Sequence, residues 1–226
     1  MNLPLDFSPL LVSCKIAFVS TAATFFLGLF AAWLVGRAGR VRSAIDALLS
    51  LPLVLPPTVI GFFILLAFGK NGIAGALFSG LGIKLLFTWQ GGALAAAAVS
   101  FPVMYRTTRG AFSQIDPEII AAARTLGMSE FRIFATIMIP VAAPGIAAAT
   151  VLSFARALGG FGATIMVAGN IPGKTQTMAV AIYTAMQAGN KALAFKWVAA
   201  IFAFSIAILF LMNLATERSA ERRKAR

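Results

Sequence analysis

The chain lacks histidine and contains few acidic residues. Among 226 residues there is no His, one Cys, and a total of seven Asp and Glu. Without histidine, His-ligated metal sites, His-based triads and histidine proton relays are excluded. A single cysteine excludes a disulfide within the chain. The phosphate-binding pattern G-x-x-x-x-G-K-[ST] is also absent, so the sequence offers no nucleotide site of that type.

Charged residues are scarce, and apolar residues dominate. Hydrophobic residues make up 60% of the chain and charged residues 12%, against about 25% charged in soluble domains. Several apolar runs approach the roughly 20 residues that cross a bilayer. The composition therefore predicts an all-α, polytopic membrane protein with one domain, residues 1–226. The net charge of +12 is explained by basic loops on the cytoplasmic side of a membrane, not by nucleic acid binding.

Five transmembrane helices are predicted from the apolar runs. They cover about residues 10–35, 48–68, 87–105, 137–158 and 192–214. Most basic residues lie in the first inner loop, in the connection between the third and fourth spans, and in the C-terminal tail. The positive-inside bias then places the N-terminus outside and the C-terminus in the cytoplasm. Residues 159–175 are expected to form an outer or partly re-entrant segment, because a sixth span would move the basic tail outside.

Prolines interrupt two of these spans and predict hinges. Pro56 and Pro57 have no amide hydrogen, so a kink or broken turn is expected in the second span. The break either serves packing alone or lines a polar path. In the fourth span, Pro140 is predicted in the first turn, where a missing amide is tolerated. Pro144 lies deeper and is expected to bend the helix.

A polar, basic segment separates the third and fourth spans, at about residues 113–137. Three consecutive alanines favour a helix over residues 119–126. Gly127 suits the left-handed position just past a helix end, and Ser129 suits the N-cap of a second helix. The segment is thus predicted to form two short helices joined at Gly127. Its flat small-residue face suits close approach by another protein; the alternative is an ordinary surface loop.

This segment resembles the EAA loop of bacterial ABC-importer permease subunits. The family pattern is E-A-A, three residues, G, nine residues, then I-x-L-P. Five residues match it at the right spacing: Ala122, Ala123, Gly127, Ile137 and Pro140.

Two positions depart from the family pattern. Ala121 stands where Glu is usual, and Ile139 replaces Leu. Glu118, one helical turn earlier, is placed to supply part of the missing polar contact. The resemblance implies the type I importer permease fold and a coupling helix that fits a cleft on a cytoplasmic ATPase subunit. The implied coupling residues are Glu118, Ala121, Ala122, Ala123, Arg124, Leu126 and Gly127.

Within that family the chain looks like the molybdate permease branch. The resemblance lies in the segments LPLVLPPTVIGFF, AARTLG and SFARALGGFGATIMVAGNIPGKTQT, although Gly160 replaces a usual Glu. It implies a homodimer in the bacterial inner membrane with two ATP-binding subunits and a periplasmic molybdate-binding protein. ATP would be used by the partner subunit, so this chain is expected to bind no cofactor and to catalyse no reaction.

Other functions stay open at this stage. A permease for sulfate, thiosulfate or tungstate would have the same architecture, and a membrane scaffold without transport activity is a further alternative. A membrane enzyme acting on lipid is disfavoured, because histidine is absent and no carboxylates cluster within the spans.

The path for a dianion is predicted to use neutral donors, because conduction requires weak binding. Arg156 is either an outer attractor for anions or a residue that snorkels to the interface. For the neutral candidates the alternative is packing between helices, where small polar residues are common. These candidates are Thr58, Ser100, Thr150, Ser153, Thr164 and Asn170.

Overall fold

The computed structural model describes residues 6–224 apart from residues 71, 73–74, 76–79 and 81–83. The described part of the chain is mainly helical. Its helices are α1 (Ser8–Gly36), α2 (Arg42–Val54), α3 (Pro57–Phe68), α4 (Trp89–Ser113), α5 (Pro117–Thr125), α6 (Glu130–Val141), α7 (Ala143–Leu158), α8 (Gly162–Ala168), α9 (Met178–Gln187) and α10 (Lys191–Lys224). A π-helical turn, Phe134–Met138, lies inside α6.

Membrane-spanning helices are present, as the composition predicts. Among the described residues, α1 and the Lys191–Met212 part of α10 are each long and apolar enough to cross a bilayer. The α2–α3 and α6–α7 pairs pass the same test when each bent pair is taken as one span, which gives up to four spans. Helix α4 has 25 residues, long enough for a 30 Å core, but it is rich in alanine and glycine. The all-α membrane architecture is confirmed, and the count of five stays a prediction.

Helices α1, α4 and α7 form the centre of the molecule through small and hydroxyl-bearing residues. Gly28 of α1 faces α4 so closely that an added Cβ would lie 2.7 Å from Met104 Cγ. Deeper in the bundle, Thr24 Oγ1 lies 3.2 Å from Ser153 Oγ. The Ser153 hydroxyl also donates to the Ser100 carbonyl at 3.5 Å. These contacts join the three helices, as expected where helices pack without water.

The two consecutive prolines produce a corner rather than a kink. The axes of α2 and α3 differ by 108°, so the predicted break in the second span is confirmed. A residue before proline is driven out of the helical region. Leu55 precedes Pro56 and Pro56 precedes Pro57, and both Leu55 (ψ 138°) and Pro56 (ψ 137°) are extended. Two extended residues in sequence turn the chain sharply.

The fourth span is also two helices. Helix α6 and helix α7 differ in direction by 77°, with the break at Ala142. The expected bend near Pro144 is confirmed, and Pro144 lies in the first turn of α7. The predicted position of Pro140 at the start of a span is wrong, because α6 begins at Glu130. The π turn directly before Pro140 widens the helix where a proline ring would otherwise meet the preceding carbonyl.

The segment over residues 159–175 contains no helix long enough to span a membrane. Within residues 159–175, α8 has seven residues, too few to cross a bilayer. It is fixed from the side by the Phe87 amide, which donates to the Val167 carbonyl at 2.8 Å. After this segment, α9 (Met178–Gln187) begins with Thr177 as its N-cap. The glycine-rich stretch 69–82 lies largely outside the described residues.

We predict that Gly28→Ala lowers the thermal unfolding midpoint of the detergent-solubilised protein. The added methyl group would push against the fully buried Met104, and overpacking of this kind costs about 1–3 kcal/mol. Gly110→Ala is the matched control, because Gly110 is helical and has open space around its Cβ position. Equal midpoints for the two variants would contradict the close approach of α1 and α4.

Candidate functional site: the coupling segment and the ion path

Both ends of α5 are fixed by capping contacts. At its start, the Asp116 carboxylate accepts a hydrogen bond from the Glu118 amide at 2.9 Å, and Pro117 occupies the first turn. The sequence analysis missed this start, although Asp-Pro before an alanine-rich run is a helix-start signal. At its end, Gly127 has φ of 76°, which confirms its predicted left-handed position.

The C-terminal end of α5 is a Schellman motif. The Gly127 amide donates to the Arg124 carbonyl at 3.0 Å, and the Met128 amide donates to the Ala123 carbonyl at 3.2 Å. These bonds satisfy carbonyls that would otherwise lack partners at a helix end. The chain then turns into α6, where the Ser129 hydroxyl accepts from the Arg132 amide at 3.4 Å. The predicted N-cap role of Ser129 is confirmed.

Helix α5 has an outer and an inner face. Glu118, Ala121, Ala122 and Thr125 are exposed and follow the three- and four-residue spacing of one helix face. Leu126, beside them, is 83% exposed. Six of the seven expected coupling residues are therefore exposed. The seventh, Ala123, is not.

Ala123 faces inward. Its exposed fraction is 4%, so its side chain packs inside this chain and does not belong to the outer face. The family pattern alone assigns the same coupling role to Ala121, Ala122 and Ala123. Helical geometry separates them, because Ala123 falls on the same side as Ile120, which packs against the central core cluster.

Glu130 ties α5 to the end of α1. Its carboxylate accepts from Arg124 Nε at 2.7 Å and from Arg124 Nη2 at 3.3 Å. It also forms an ion pair with Arg37 at 3.3 Å. The hydrogen bond from Arg124 holds the pKa of Glu130 below its ordinary value, and the charge of Arg37 adds to this effect. One carboxylate thus links two separate helices.

Aromatic contacts reinforce the same junction. The Trp33 ring of α1 stacks on Phe134 of α6, with centroids 4.8 Å apart and planes inclined by 29°. Phe112 of α4 meets Phe134 edge-on at 6.1 Å. The Arg37 guanidinium lies 5.0 Å from the Trp33 centroid. Since Trp33 and Phe134 are both buried, the junction is a packed unit and not a surface contact.

A second polar contact fixes α2 against α4. The Tyr105 hydroxyl donates to the Asp46 carboxylate, and Arg109 forms an ion pair with the same carboxylate. The Arg109 guanidinium also donates to the Tyr105 hydroxyl at 3.2 Å. Sequence reasoning missed Asp46, although an acidic residue just after the basic loop and before an apolar run is an unusual feature.

The structure separates the predicted path residues into two groups. Ser100 and Ser153 have no exposed surface, and Thr164 is 2% exposed. In this conformation these three side chains lie inside the chain, as the packing alternative expects, and their path role stays a prediction. Thr24, the partner of Ser153, was missed, although hydroxyl residues at positions 20, 21 and 24 recur at helical spacing.

The remaining candidates lie at or near the surface. Thr58 is exposed in the first turn of α3, and Thr150 is half-buried with its hydroxyl donating to the Ile146 carbonyl at 2.8 Å. Arg156 is half-buried in the last turn of α7. The Asn170 side chain is exposed, donates to Thr184 Oγ1 at 3.0 Å and accepts from Gln176 at 2.8 Å. No described contact brings these four together, and their path role stays a prediction.

A helical membrane domain with a capped, exposed helix between two spans is the arrangement of an ABC-importer permease subunit. Comparison with known families agrees. Residues 24–223 match the family described as binding-protein-dependent transport system inner membrane component. The chain belongs to this family, which consists of multi-pass inner-membrane subunits.

Individual relatives agree with this assignment. The molybdenum transport system permease protein ModB of Escherichia coli (strain K12) is 44% identical over 184 residues, covering 80% of each chain. The sulfate transport system permease protein CysT of the same strain is 35% identical over 207 residues, covering 91% of this chain and 75% of the relative. The fold is similar to that of a bacterial ABC transporter involved in alginate import, with a TM-score of 0.78, 15% identity, and coverage of 94% and 79%.

We predict that Glu130→Gln loosens α5. The substitution removes the charge that pairs with Arg37 and Arg124. Amide hydrogen exchange across α5 should accelerate by up to about five-fold, the range for exposed ion pairs. Glu118→Gln is the matched control, since the ion pairs found among the described residues do not include Glu118. If both variants exchange alike, Glu130 does not hold α5.

The same contact should depend on pH. The folded state lowers the pKa of Glu130, so its contribution is present above the ordinary glutamate pKa of about 4.3. It is lost as the pH falls through the lower, folded value. The difference in unfolding midpoint between the wild type and Glu130→Gln should therefore disappear in acid. A difference that grows as the pH falls would contradict this assignment.

Proposed function

We propose that this chain is the membrane-spanning permease subunit of an ATP-driven molybdate importer. The observation that carries the proposal is the 44% identity to a molybdenum permease over 80% of the chain. The lower identity of 35% to a sulfate permease makes sulfate the second candidate. Thiosulfate, tungstate and a role without transport are weaker alternatives.

The working assembly contains two copies of this chain, two cytoplasmic ATP-binding subunits and a periplasmic molybdate-binding protein. Solved structures of the same fold include a transporter in complex with a periplasmic protein, which supports this composition. ATP is used by the partner subunit, and this chain binds no cofactor and catalyses no reaction.

The N-terminus lies outside and the C-terminus in the cytoplasm, because the basic loops then face inward.

Movement of the ATPase subunits would enter through the outer face of α5. The capping contacts at Asp116 and Gly127 make α5 a short rigid body. The Glu130 contacts and the Trp33–Phe134 stack then pass its displacement to α1. Helix α6 carries the same displacement to the 77° bend before α7. The bends at Pro56, Pro57 and Pro144 serve as hinges, and Pro140 adjoins the π turn.

The ion path would lie between the two copies. The surface candidates Thr58, Thr150 and Asn170 offer neutral donors, which release a dianion more readily than a tight charged site does. Arg156 serves as the outer attractor in this scheme. Alternating access then requires only that the two copies rock against each other, with no covalent step in this chain.

We predict that Ala122→Trp abolishes co-purification with the ATPase subunit and molybdate-stimulated ATP hydrolysis. The bulky ring would block the outer face of α5 without entering the core, because Ala122 is exposed. Ala188→Trp is the control, since Ala188 is an exposed alanine at the end of α9. If Ala122→Trp inserts normally into the membrane and still supports co-purification and molybdate-stimulated ATP hydrolysis, α5 is not the docking helix.

Substrate identity is tested separately by uptake. In cells that lack their own molybdate permease, the chain is produced with its ATPase and binding protein, and labelled molybdate uptake is measured. We predict that excess unlabelled molybdate suppresses uptake and that excess sulfate does not. Equal suppression by sulfate would favour the second candidate, and absence of any oxyanion uptake by the intact complex would reject the proposal.

A further inference from the structure

A cleft lined by arginines lies beside the coupling segment. It has a volume of about 370 Å³ and lies between the α1 end, the α2 start, α4 and α5. Four guanidinium groups line it: Arg37, Arg42, Arg109 and Arg124. Glu130 is the acidic residue among the lining side chains. A concave site with this charge attracts anions.

The acidic partners do not neutralise the cleft. Glu130 pairs with Arg37 and Arg124, and Asp46 pairs with Arg109. Four positive charges thus meet two carboxylates, and Arg42 is in none of the ion pairs found among the described residues. Arg42 is exposed, so its guanidinium is free to bind a ligand. The surplus of positive charge calls for an anionic occupant.

The other lining residues of the cleft are largely apolar. Ala32, Trp33, Phe112 and Met138 contribute to its walls. The Trp33 indole N–H is buried and has no acceptor within the described part of the chain. An anion with an attached apolar portion fits such a lining better than a small hydrated oxyanion, since apolar walls gain nothing from a hydrated ion.

The cleft is separate from the proposed ATPase-docking face. Pro117, Ile120 and Arg124 of α5 line the cleft, whereas Glu118, Ala121 and Ala122 lie on the exposed side of the same helix. Docking on the outer face would therefore leave the cleft available. The cleft also lies at the end of the long membrane helix α1, where lipid headgroups are found.

We propose that this arginine cleft binds the phosphate of an anionic phospholipid headgroup. Arg42 of α2, which is in none of the ion pairs found among the described residues, would hold the phosphate, and the apolar walls would contact the glycerol and the first acyl carbons. Basic pockets between membrane helices bind anionic headgroups by the same chemistry. The bound lipid would connect the coupling segment to the bilayer, so that coupling depends on membrane composition.

Native mass spectrometry of the intact detergent-solubilised protein tests this proposal. Phosphatidylglycerol and phosphatidylcholine with identical acyl chains are titrated, and the fraction of lipid-bound protein is measured. Phosphatidylglycerol should bind preferentially to the wild type. Arg42→Gln should weaken its binding about ten-fold, the contribution expected of one hydrogen bond between charged groups.

Arg40→Gln is the matched control. Arg40 belongs to the same basic loop and is exposed, but it does not line the cleft. Its loss should leave phosphatidylglycerol binding unchanged. If Arg40→Gln and Arg42→Gln weaken phosphatidylglycerol binding equally, general surface charge explains the binding and the proposal is wrong. The proposal is also wrong if the wild type binds phosphatidylglycerol and phosphatidylcholine equally.

A second pair of variants leaves every arginine in place. Ser113 is exposed and lines the cleft. Ser113→Glu should repel the phosphate and reduce phosphatidylglycerol binding, whereas Ser113→Gln, of nearly equal size, should not. Inorganic phosphate and molybdate are added as competitors. If either ion displaces phosphatidylglycerol completely, the cleft is a site for a free oxyanion, and the lipid assignment is wrong.

Discussion

The junction between α1 and α6 is the contact on which the proposed mechanism depends. A short exposed helix transmits force only if its inner side is fixed to the helices that must move. Trp33 stacked on Phe134 supplies the buried apolar part of this attachment, and Glu130 between Arg37 and Arg124 supplies the polar part. Exposed ion pairs alone contribute little, so the aromatic stack is the stronger element. The ion pairs of Glu130 fix the orientation of α5 relative to this aromatic stack.

Small and hydroxyl-bearing residues hold the centre of the molecule together. Apolar side chains gain little from meeting one another in a bilayer, so close backbone approach and hydroxyl contacts must hold the helices together. Gly28 provides the close approach between α1 and α4. Thr24, Ser100 and Ser153 provide hydrogen bonds at the crossing with α7. The second bent pair is part of this packing, because α7 belongs to the central bundle and Ala142, at the break between α6 and α7, is buried in its apolar core.

Local features of the fold could be predicted from the sequence because single residues determine them. Gly127 and Ser129 occupy the predicted caps, since their backbone and side-chain preferences act over one turn. The break at Pro56 and Pro57 was also predicted, but its angle of 108° was not, because the angle depends on two backbone restrictions acting in succession. Burial of Ala123, Ser100 and Ser153 could not be predicted, since it depends on which neighbours each helix meets. The cleft was missed for the same reason, because its arginines come from three separate stretches of the chain.

The π turn in α6 determines where the chain between Gly127 and Pro140 can change length. An α-helix advances about 100° per residue, and the π turn at Phe134–Met138 takes up an extra residue while the helix on either side stays in phase. Deleting one residue within the turn would therefore restore regular winding and keep α5 aligned with α7. Deleting one residue of α6 outside the turn would rotate α5 by about 100° relative to α7 and turn its exposed face away from its present direction. Length changes should therefore be tolerated within the π turn far better than elsewhere in α6.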